Sequence, residues 1–285
     1  MIAVTGATGQ LGRLVITALL KKVPASEIIA AVRSPEKAND LAALGVQVRK
    51  ADYSQPATLE AAFQGVNKLL LISSSEVGQR IAQHTAVINA AKKAGVKLLA
   101  YTSLLHADKS TLGLGDEHRA TEKLLRDSGL PVVLLRNGWY TENYAASIAP
   151  ALAHGAFIGA VADGRIASAA REDYAEAAAV ALTQENQAGK VYELAGDESY
   201  TLAEFTAEIA RQSGKPVVYK NLSETDFKQA LIGAGLPDGF ASLLADSDAG
   251  AAKDGLFDDS HTLSKLIGRP TTPYAKVIAA TLAAL

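Results

Sequence analysis

The chain has 285 residues, 48% of them apolar and 20% charged, with a formal net charge of −2. That is enough apolar content for a substantial core, as one large domain or a domain with an added lobe, and the absence of a long basic run excludes nucleic-acid binding through the phosphate backbone. There is no cysteine, which removes disulfides, thiolate catalysis, iron–sulfur clusters and thiolate zinc sites.

In chain order, Met1–Thr5 predicts a buried strand, and Leu11, Leu14, Val15, Ala18 and Leu19 recur at the spacing of a helix with one apolar face. Between them stand Gly6, Gly9 and Gly12. Gly6 suits a sharp turn, Gly9 a close approach of backbone to a pyrophosphate, and Gly12 close packing of helix on strand. The loop Gly6-Ala7-Thr8-Gly9-Gln10-Leu11 is therefore expected to hold a dinucleotide diphosphate at the helix N-terminus. Further apolar runs at Ile28–Val32, Val46–Lys50, Lys68–Ser73, Lys97–Thr102 and Pro131–Arg136, separated by helical or turn-rich segments, predict a parallel sheet with helices on both faces. Gln79–Lys93 is one such helix, with Ile81, Thr85, Ile88 and Ala91 on one face and Gly95 as the stop.

After about residue 140 the alternation loosens. Strands are expected at Lys190–Ala195 and Val217–Asn221, around a helix that starts near Thr201 with Leu202, Phe205 and Ile209 inward. Leu236–Phe257 gives no clear pattern, and Pro273–Leu285 reads as a closing helix. The expectation is an α/β protein: a Rossmann-type doubly wound parallel sheet as the NADP-binding domain (1–140), then a smaller α/β substrate lobe (141–285), some segments of which return to the sheet. No positively charged segment precedes the apolar N-terminus and no apolar run reaches about eighteen residues, so a cytoplasmic protein without a membrane span is expected.

A site selective for NAD usually carries Asp or Glu after the second strand; this sequence has Arg33, followed by Ser34 and, nearby, Lys37. A guanidinium can fork onto a 2′-phosphate, so NADP(H) is favoured, the alternative being an ordinary solvated charge. Ser73, Ser74 and Ser75 follow the fourth strand, where the cofactor crosses the sheet, although Ser75 equally suits a helix cap. Asp52 could accept from an adenine amino group or simply close a turn.

Several stretches together resemble the NmrA-like group of atypical short-chain dehydrogenases, in particular its quinone-reducing branch: Thr5–Gly12, Arg33-Ser34-Pro35, Thr121-Glu122-Lys123, Ser128–Pro131, Leu135–Asn143 and Ala170–Ala175. The resemblance spans most of the chain. It implies that Asn137, Gly138, Trp139, Tyr140, Thr141 and Glu142 line the nicotinamide end of the cofactor, and that Arg171 reaches toward it from the second lobe. Trp139 and Tyr140 could instead anchor packing, and Arg171 could pair with Glu172 or Asp173.

Alcohol-active relatives of such enzymes use Tyr-x-x-x-Lys, in which the lysine lowers the tyrosine pKa. None of the nine tyrosines here has lysine four residues on, and the corresponding segment reads Glu117-His118-Arg119-Ala120-Thr121-Glu122-Lys123. His118 is a candidate acid but equally a plain helix residue, so no catalytic residue and no metal ligand is assigned. A quinone suits this inventory, because it accepts hydride readily and its oxygen can be protonated by water; positioning then carries the reaction, without flavin or metal. Asn143 is expected to donate to the quinone carbonyl, with Tyr144, Trp139 or Tyr140 forming an apolar slot. The expected partners are thus NADP(H) and a small-molecule quinone, with no nucleic acid, no membrane, and a possible homodimer. The alternative is an NADP(H)-sensing regulator without catalysis, which the resemblance equally allows; an epimerase or dehydratase is disfavoured by the missing pair.

Overall fold

The computed structural model describes residues 1–285. Its strands are β1 (Ile2–Thr5), β2 (Ile28–Val32), β3 (Gln47–Lys50), β4 (Lys68–Leu71), β5 (Leu98–Leu104), β6 (Val132–Asn137), β7 (Ala156–Gly159), β8 (Val191–Leu194) and β9 (Val218–Asn221). The helices are α1 (Gln10–Leu20), α2 (Asn39–Ala43), α3 (Pro56–Ala62), α4 (Arg80–Lys93), α5 (Leu114–Ser128), α6 (Thr141–Ala145), α7 (Ile148–His154), α8 (Arg171–Thr183), α9 (Leu202–Ser213), α10 (Glu224–Gly233), α11 (Asp238–Ala251), α12 (Thr262–Ile267) and α13 (Tyr274–Ala283). Seven strands form one sheet in the order β3-β2-β1-β4-β5-β6-β8, while β7 and β9 form a separate parallel pair. Every pairing from β3 to β5 is parallel. The order reverses between β1 and β4, the switch point at which such sheets open a crevice beyond their carboxyl ends. This is the Rossmann-type doubly wound fold expected from the sequence.

The chain forms two compact units. One holds Met1–Ser103, Asp116–Asn137 and Arg171–Tyr192; the other holds Leu104–Gly115, Gly138–Ala170 and Glu193–Leu285. The first therefore takes back a segment from beyond residue 140. Arg171, expected on the second lobe, is the first residue of α8 and belongs to the sheet-bearing unit.

In that unit β1 and β2 are buried along their whole length, as continuous apolar strands covered on both faces must be. Helix α1 buries Leu11, Val15, Ile16, Ala18 and Leu19 and packs against α8, whose Ala177, Ala178, Ala179 and Ala181 are buried. Methyl-sized side chains let two helices approach closely. Lys68, at the start of β4, donates from Nζ to the Leu182 carbonyl at 2.8 Å, where the partial negative charge of the α8 C-terminus favours a cation.

The inward face of α4 differs from the one the apolar spacing predicts. Ile81 is 48% exposed, and the buried face is Arg80, Gln83, His84, Val87, Ile88 and Ala91. Polar pairing explains the rotation. His84 accepts from the Ser74 backbone N–H through Nε2 at 3.0 Å and pairs with Thr121 Oγ1 through Nδ1 at 2.9 Å. Arg80 donates to the Ser74 carbonyl at 2.5 Å and to Glu117 at 3.2 Å. Leaving these groups buried and unpaired would cost several hydrogen bonds' worth of desolvation, more than the about 2 kcal/mol gained by burying one isoleucine. Beneath them a row of rings runs from Tyr53 through His84 and Tyr101 to His118, with centroids 5.5–6.4 Å apart.

The second unit has its own core around Phe157, Tyr200, Phe205 and Ile209. Tyr200 stacks on Phe205 with centroids 5.3 Å apart. Helix α9 begins as expected at Thr201, where a reciprocal capping box with Glu204 satisfies two orphan donors. The stretch that gave no pattern contains α11, which carries Asp248 into the interior; its carboxylate accepts from the Ala160 N–H at 2.8 Å and the Tyr144 hydroxyl at 3.3 Å.

The buried imidazoles make the fold acid-sensitive. Burial, reinforced by the Arg80 cation, holds His84 down to about 4; burial, Arg80 and His84 together hold His118 down to about 3. The unfolded chain takes up these protons near pH 6.5 and the folded chain does not, so stability is fully present above that value and falls below it. Asp248, raised to about 6 mainly by burial, acts in the opposite sense over the same range. Each ring should cost about 2 kcal/mol between pH 7 and pH 5, read from denaturant midpoints. His118→Gln should flatten that dependence, and an equally steep fall in the variant would show that the ring is not its source.

Candidate cofactor site

A cleft of about 360 Å³ opens at the carboxyl ends of β1 to β4. Its wall includes Gly6, Thr8, Gly9, Gln10 and Leu11 after β1, Arg33 after β2, Asp52 and Tyr53 after β3, and Ser73, Ser74, Ser75 and Glu76 after β4, with Gln83 from α4. The predicted residues that follow β1, β2 and β4, namely Gly6, Thr8, Gly9, Gln10, Leu11, Arg33, Ser73, Ser74 and Ser75, are thus brought together, whereas Ala7, fully buried beneath the turn, and Asn137 and Arg171, also in the first unit, are not on this wall. Lys37 is not on the wall; its carbonyl accepts from Arg13 at 2.9 Å.

The glycine turn is built as the spacing requires. Gly6 has φ +59°, and its carbonyl accepts from the Gly9 N–H at 2.9 Å, closing the turn. A Cβ on Gly12 would lie 2.4 Å from the Gly6 oxygen and 2.6 Å from Ala7 Cα, so α1 sits as close to its own turn as backbone permits. Gly9 is the N-cap of α1, with no side-chain cap and no acidic residue in the first turn. The free N–H groups and the partial positive charge of the helix therefore face the cleft, a ready-made anion site.

Tyr53 was not singled out by sequence reasoning, yet it holds three strand ends together. Its hydroxyl donates within reach of Thr5 Oγ1 (2.6 Å) and the Ile72 carbonyl (2.8 Å), while Thr5 Oγ1 accepts from the Ile72 N–H at 3.1 Å. An aromatic residue just past a strand end was its only signal. Asp52 closes a turn, accepting from the Ser54 N–H at 2.9 Å and Gln55 at 3.1 Å, and it also lies on the wall. Gln83 was missed as well. It shares a helix face with Arg80 and His84, and its Oε1 is buried without a partner.

A second orphan is Asn137 Oδ1, at the end of β6. Buried acceptors left unpaired are costly, so each calls for a donor from water or a ligand. A dinucleotide fits the cleft: bare helix N–H groups for its diphosphate, a guanidinium at the rim, and the amide of Gln83 on the wall.

Where Tyr-x-x-x-Lys would stand, α5 carries a buried ion pair instead. Glu122 accepts from Ser103 Oγ at 2.6 Å and from Arg136 Nε and Nη2 at 2.9 and 2.8 Å. The fork geometry satisfies both carboxylate oxygens. Lys123 is exposed and pairs with Asp127 at 2.5 Å. His118 is buried and hydrogen-bonded to the Tyr101 hydroxyl at 2.8 Å, and burial, with Arg80 and His84 beside it, holds its pKa well below the usual imidazole value.

In the second unit, Gly138 donates to the Leu194 carbonyl at 2.7 Å, and Trp139 and Thr141 exchange backbone hydrogen bonds with Ala169. Thr141 Oγ1 pairs with Ser168 at 2.8 Å. Trp139 is a core residue, Tyr140 is half-buried at the start of α6, and Glu142 follows in its first turn. Asn143 is exposed, whereas Tyr144, expected at a substrate slot, is buried against Phe205 with its hydroxyl on Asp248.

Residues 1–271 match the model of the NmrA-like family. The chain is 65% identical to quinone oxidoreductase 2 of Escherichia coli (strain K12), covering 98% of this chain and 97% of that protein. Among solved structures it is similar to the E. coli NADPH-dependent quinone oxidoreductase complexed with NADPH, with a TM-score of 0.97, 64% identity and coverage of 99% of this chain and 100% of that one. It also resembles Citrobacter sp. triphenylmethane reductase complexed with NADP(H), with a TM-score of 0.94, 41% identity and coverage of 99% and 100%.

The two glycines should separate fold from binding. Gly9 has φ −73° and ψ 169°, open to any residue, and an added Cβ would meet only the Gly6 oxygen, at 3.2 Å. Gly9→Val should keep the fold and abolish NADPH binding, because its branches fill the pyrophosphate's space. Gly12→Ala should destabilise by about 1–3 kcal/mol or more, as overpacking against backbone does. Thermal denaturation and NADPH titration distinguish them; a Gly9→Val chain with parental affinity would make this loop merely structural.

Proposed function

Given that the chain belongs to the NmrA-like family, we propose that it is an NADPH-dependent quinone oxidoreductase, moving hydride from the nicotinamide to a quinone without flavin or metal. The near-full-length identity of 65% to an E. coli quinone oxidoreductase carries this reading, and the cleft supports it with a fitting donor set. When bound, the cofactor supplies the hydride.

The chain's own residues bind, orient and exclude. The N–H groups at the start of α1, with Thr8, Gly9 and Gln10, hold the diphosphate. Arg33 forks onto the 2′-phosphate, with Ser34 adding a donor, and Ser73, Ser74 and Ser75 line the crossing of the sheet. Asn137, Gly138, Trp139, Tyr140, Thr141 and Glu142 line the nicotinamide end, and Arg171 reaches toward it from the start of α8. Asn143 donates to the quinone oxygen on which negative charge develops. With Glu122 committed to Arg136 and His118 neutral, the proton for that oxygen comes from water, which suffices for a phenolate-like product. Tyr144 acts, through its packing, on the segment that carries Asn143. A cytoplasmic location, where NADPH is supplied, and assembly as a homodimer complete the proposal.

NADPH should bind at least about tenfold more tightly than NADH, since a hydrogen bond to a charged group is worth about 1.5–3 kcal/mol. Arg33→Asp should reverse much of that preference, and equal affinities in the parent by calorimetry would overturn the cofactor assignment. The protein should oxidise NADPH with simple quinones; His118→Ala should leave most of the rate, whereas Asn143→Ala should reduce turnover toward the lower end of the about hundredfold typical of a lost oxyanion donor. NADPH binding with no hydride transfer to any of several benzoquinones and naphthoquinones would point instead to a cofactor-sensing role. A large loss on removing His118 would restore a dedicated proton donor.

A further inference from the structure

The guanidinium at the rim of the cleft already has a partner. Arg33 Nη1 donates to Glu76 Oε1 at 2.9 Å, and the other carboxylate oxygen accepts from Gln83 Nε2 at 2.7 Å. All three residues are on the cleft wall. Because a carboxylate can only accept, Gln83 must turn its NH₂ toward Glu76, which leaves its Oε1 buried and unpartnered. The loop that carries Glu76 is fixed at both ends. The Glu76 N–H donates to Ser74 Oγ at 3.1 Å, and the Gly78 N–H donates to Glu117 at 2.8 Å.

We propose that Glu76 is a cofactor-selectivity residue: it holds Nη1 of Arg33 and competes for it with the 2′-phosphate of NADPH. This rests on the reading of Arg33 as the 2′-phosphate ligand. A 2′-phosphate that accepts from both terminal nitrogens of Arg33 needs the Nη1 that Glu76 holds, so binding of NADPH carries the cost of displacing Glu76, and NADH, which has no phosphate there, leaves the pair intact. The strength of the pair suits such a latch. Its side chains are 69% and 45% exposed, and exposed ion pairs are weak. A phosphate dianion, able to accept two parallel N–H bonds from the fork, outcompetes a single carboxylate contact. Glu76 therefore narrows the preference for NADPH that Arg33 alone would create.

The test is calorimetric titration of the parent, Glu76→Gln, Arg33→Gln and the double variant with NADPH, NADH and adenosine 2′,5′-bisphosphate, which probes the adenosine end alone. Glu76→Gln should bind NADPH and the bisphosphate about three- to tenfold more tightly, the range for removing an exposed ion pair and one like charge. Its affinity for NADH should change by less than about twofold, and the gain for NADPH should shrink when Arg33 is also replaced. An equal gain for NADPH and NADH, no gain, or a gain undiminished in the double variant would overturn the proposal while leaving the Arg33 assignment standing. Parental NADPH affinity in Arg33→Gln would instead remove that assignment, and the proposal with it.

Discussion

One carbonyl oxygen, that of Gly6, sits where a methyl on residue 12 would have to be. That contact fixes where α1 begins, and everything at the carboxyl edge of the sheet is placed relative to it. Because the helix starts this close to β1, its uncapped N–H groups open onto the crevice instead of onto solvent, and the left-handed backbone of Gly6 turns the chain sharply enough to allow it. The hydroxyl of Tyr53, bound to both Thr5 and Ile72, holds the floor in register from below. Backbone geometry thus turns the positive end of α1 toward the cleft.

The parts of this design that could be read in the sequence are those that depend on local rules. Glycine spacing, a continuous apolar run and the residue after the second strand placed β1, α1, β2 and Arg33, because backbone sterics and burial act over a few residues. The inward face of α4 was only half legible: Ile88 and Ala91 are buried as the spacing requires, but apolar spacing alone also puts Ile81 inside, whereas His84 and Arg80 are held inside by Ser74, Thr121 and Glu117. Helix α11 was hidden for a related reason: Asp248 reads as a surface residue until Ala160 and Tyr144 are found beside it. The placement of Arg171 depended on the chain returning to the first unit, which periodicity does not encode. At the site, the glycine loop and the serines after β4 were legible, whereas Gln83 and Tyr53 required knowing which strand ends meet.

The interior of α5 commits its buried carboxylate to an ion pair. Glu122 is buried and bound bidentately by Arg136, a pairing whose desolvation cost is offset by further donors, Ser103 on one carboxylate oxygen and Arg126 on the other. Such a pair has no proton to give. A quinone, whose reduced oxygen water can protonate, suits a site in which this carboxylate is so committed.

Trp139 is the single tryptophan in the chain, and it lies in the core of the second unit. Its emission is consequently a private signal of that core. It follows the packing of the cluster that holds Leu104, Phe157 and Phe205, whereas far-ultraviolet dichroism sees every helix and strand. Overlay of the two optical transitions therefore reads out whether this chain unfolds in one step or two, with no label introduced.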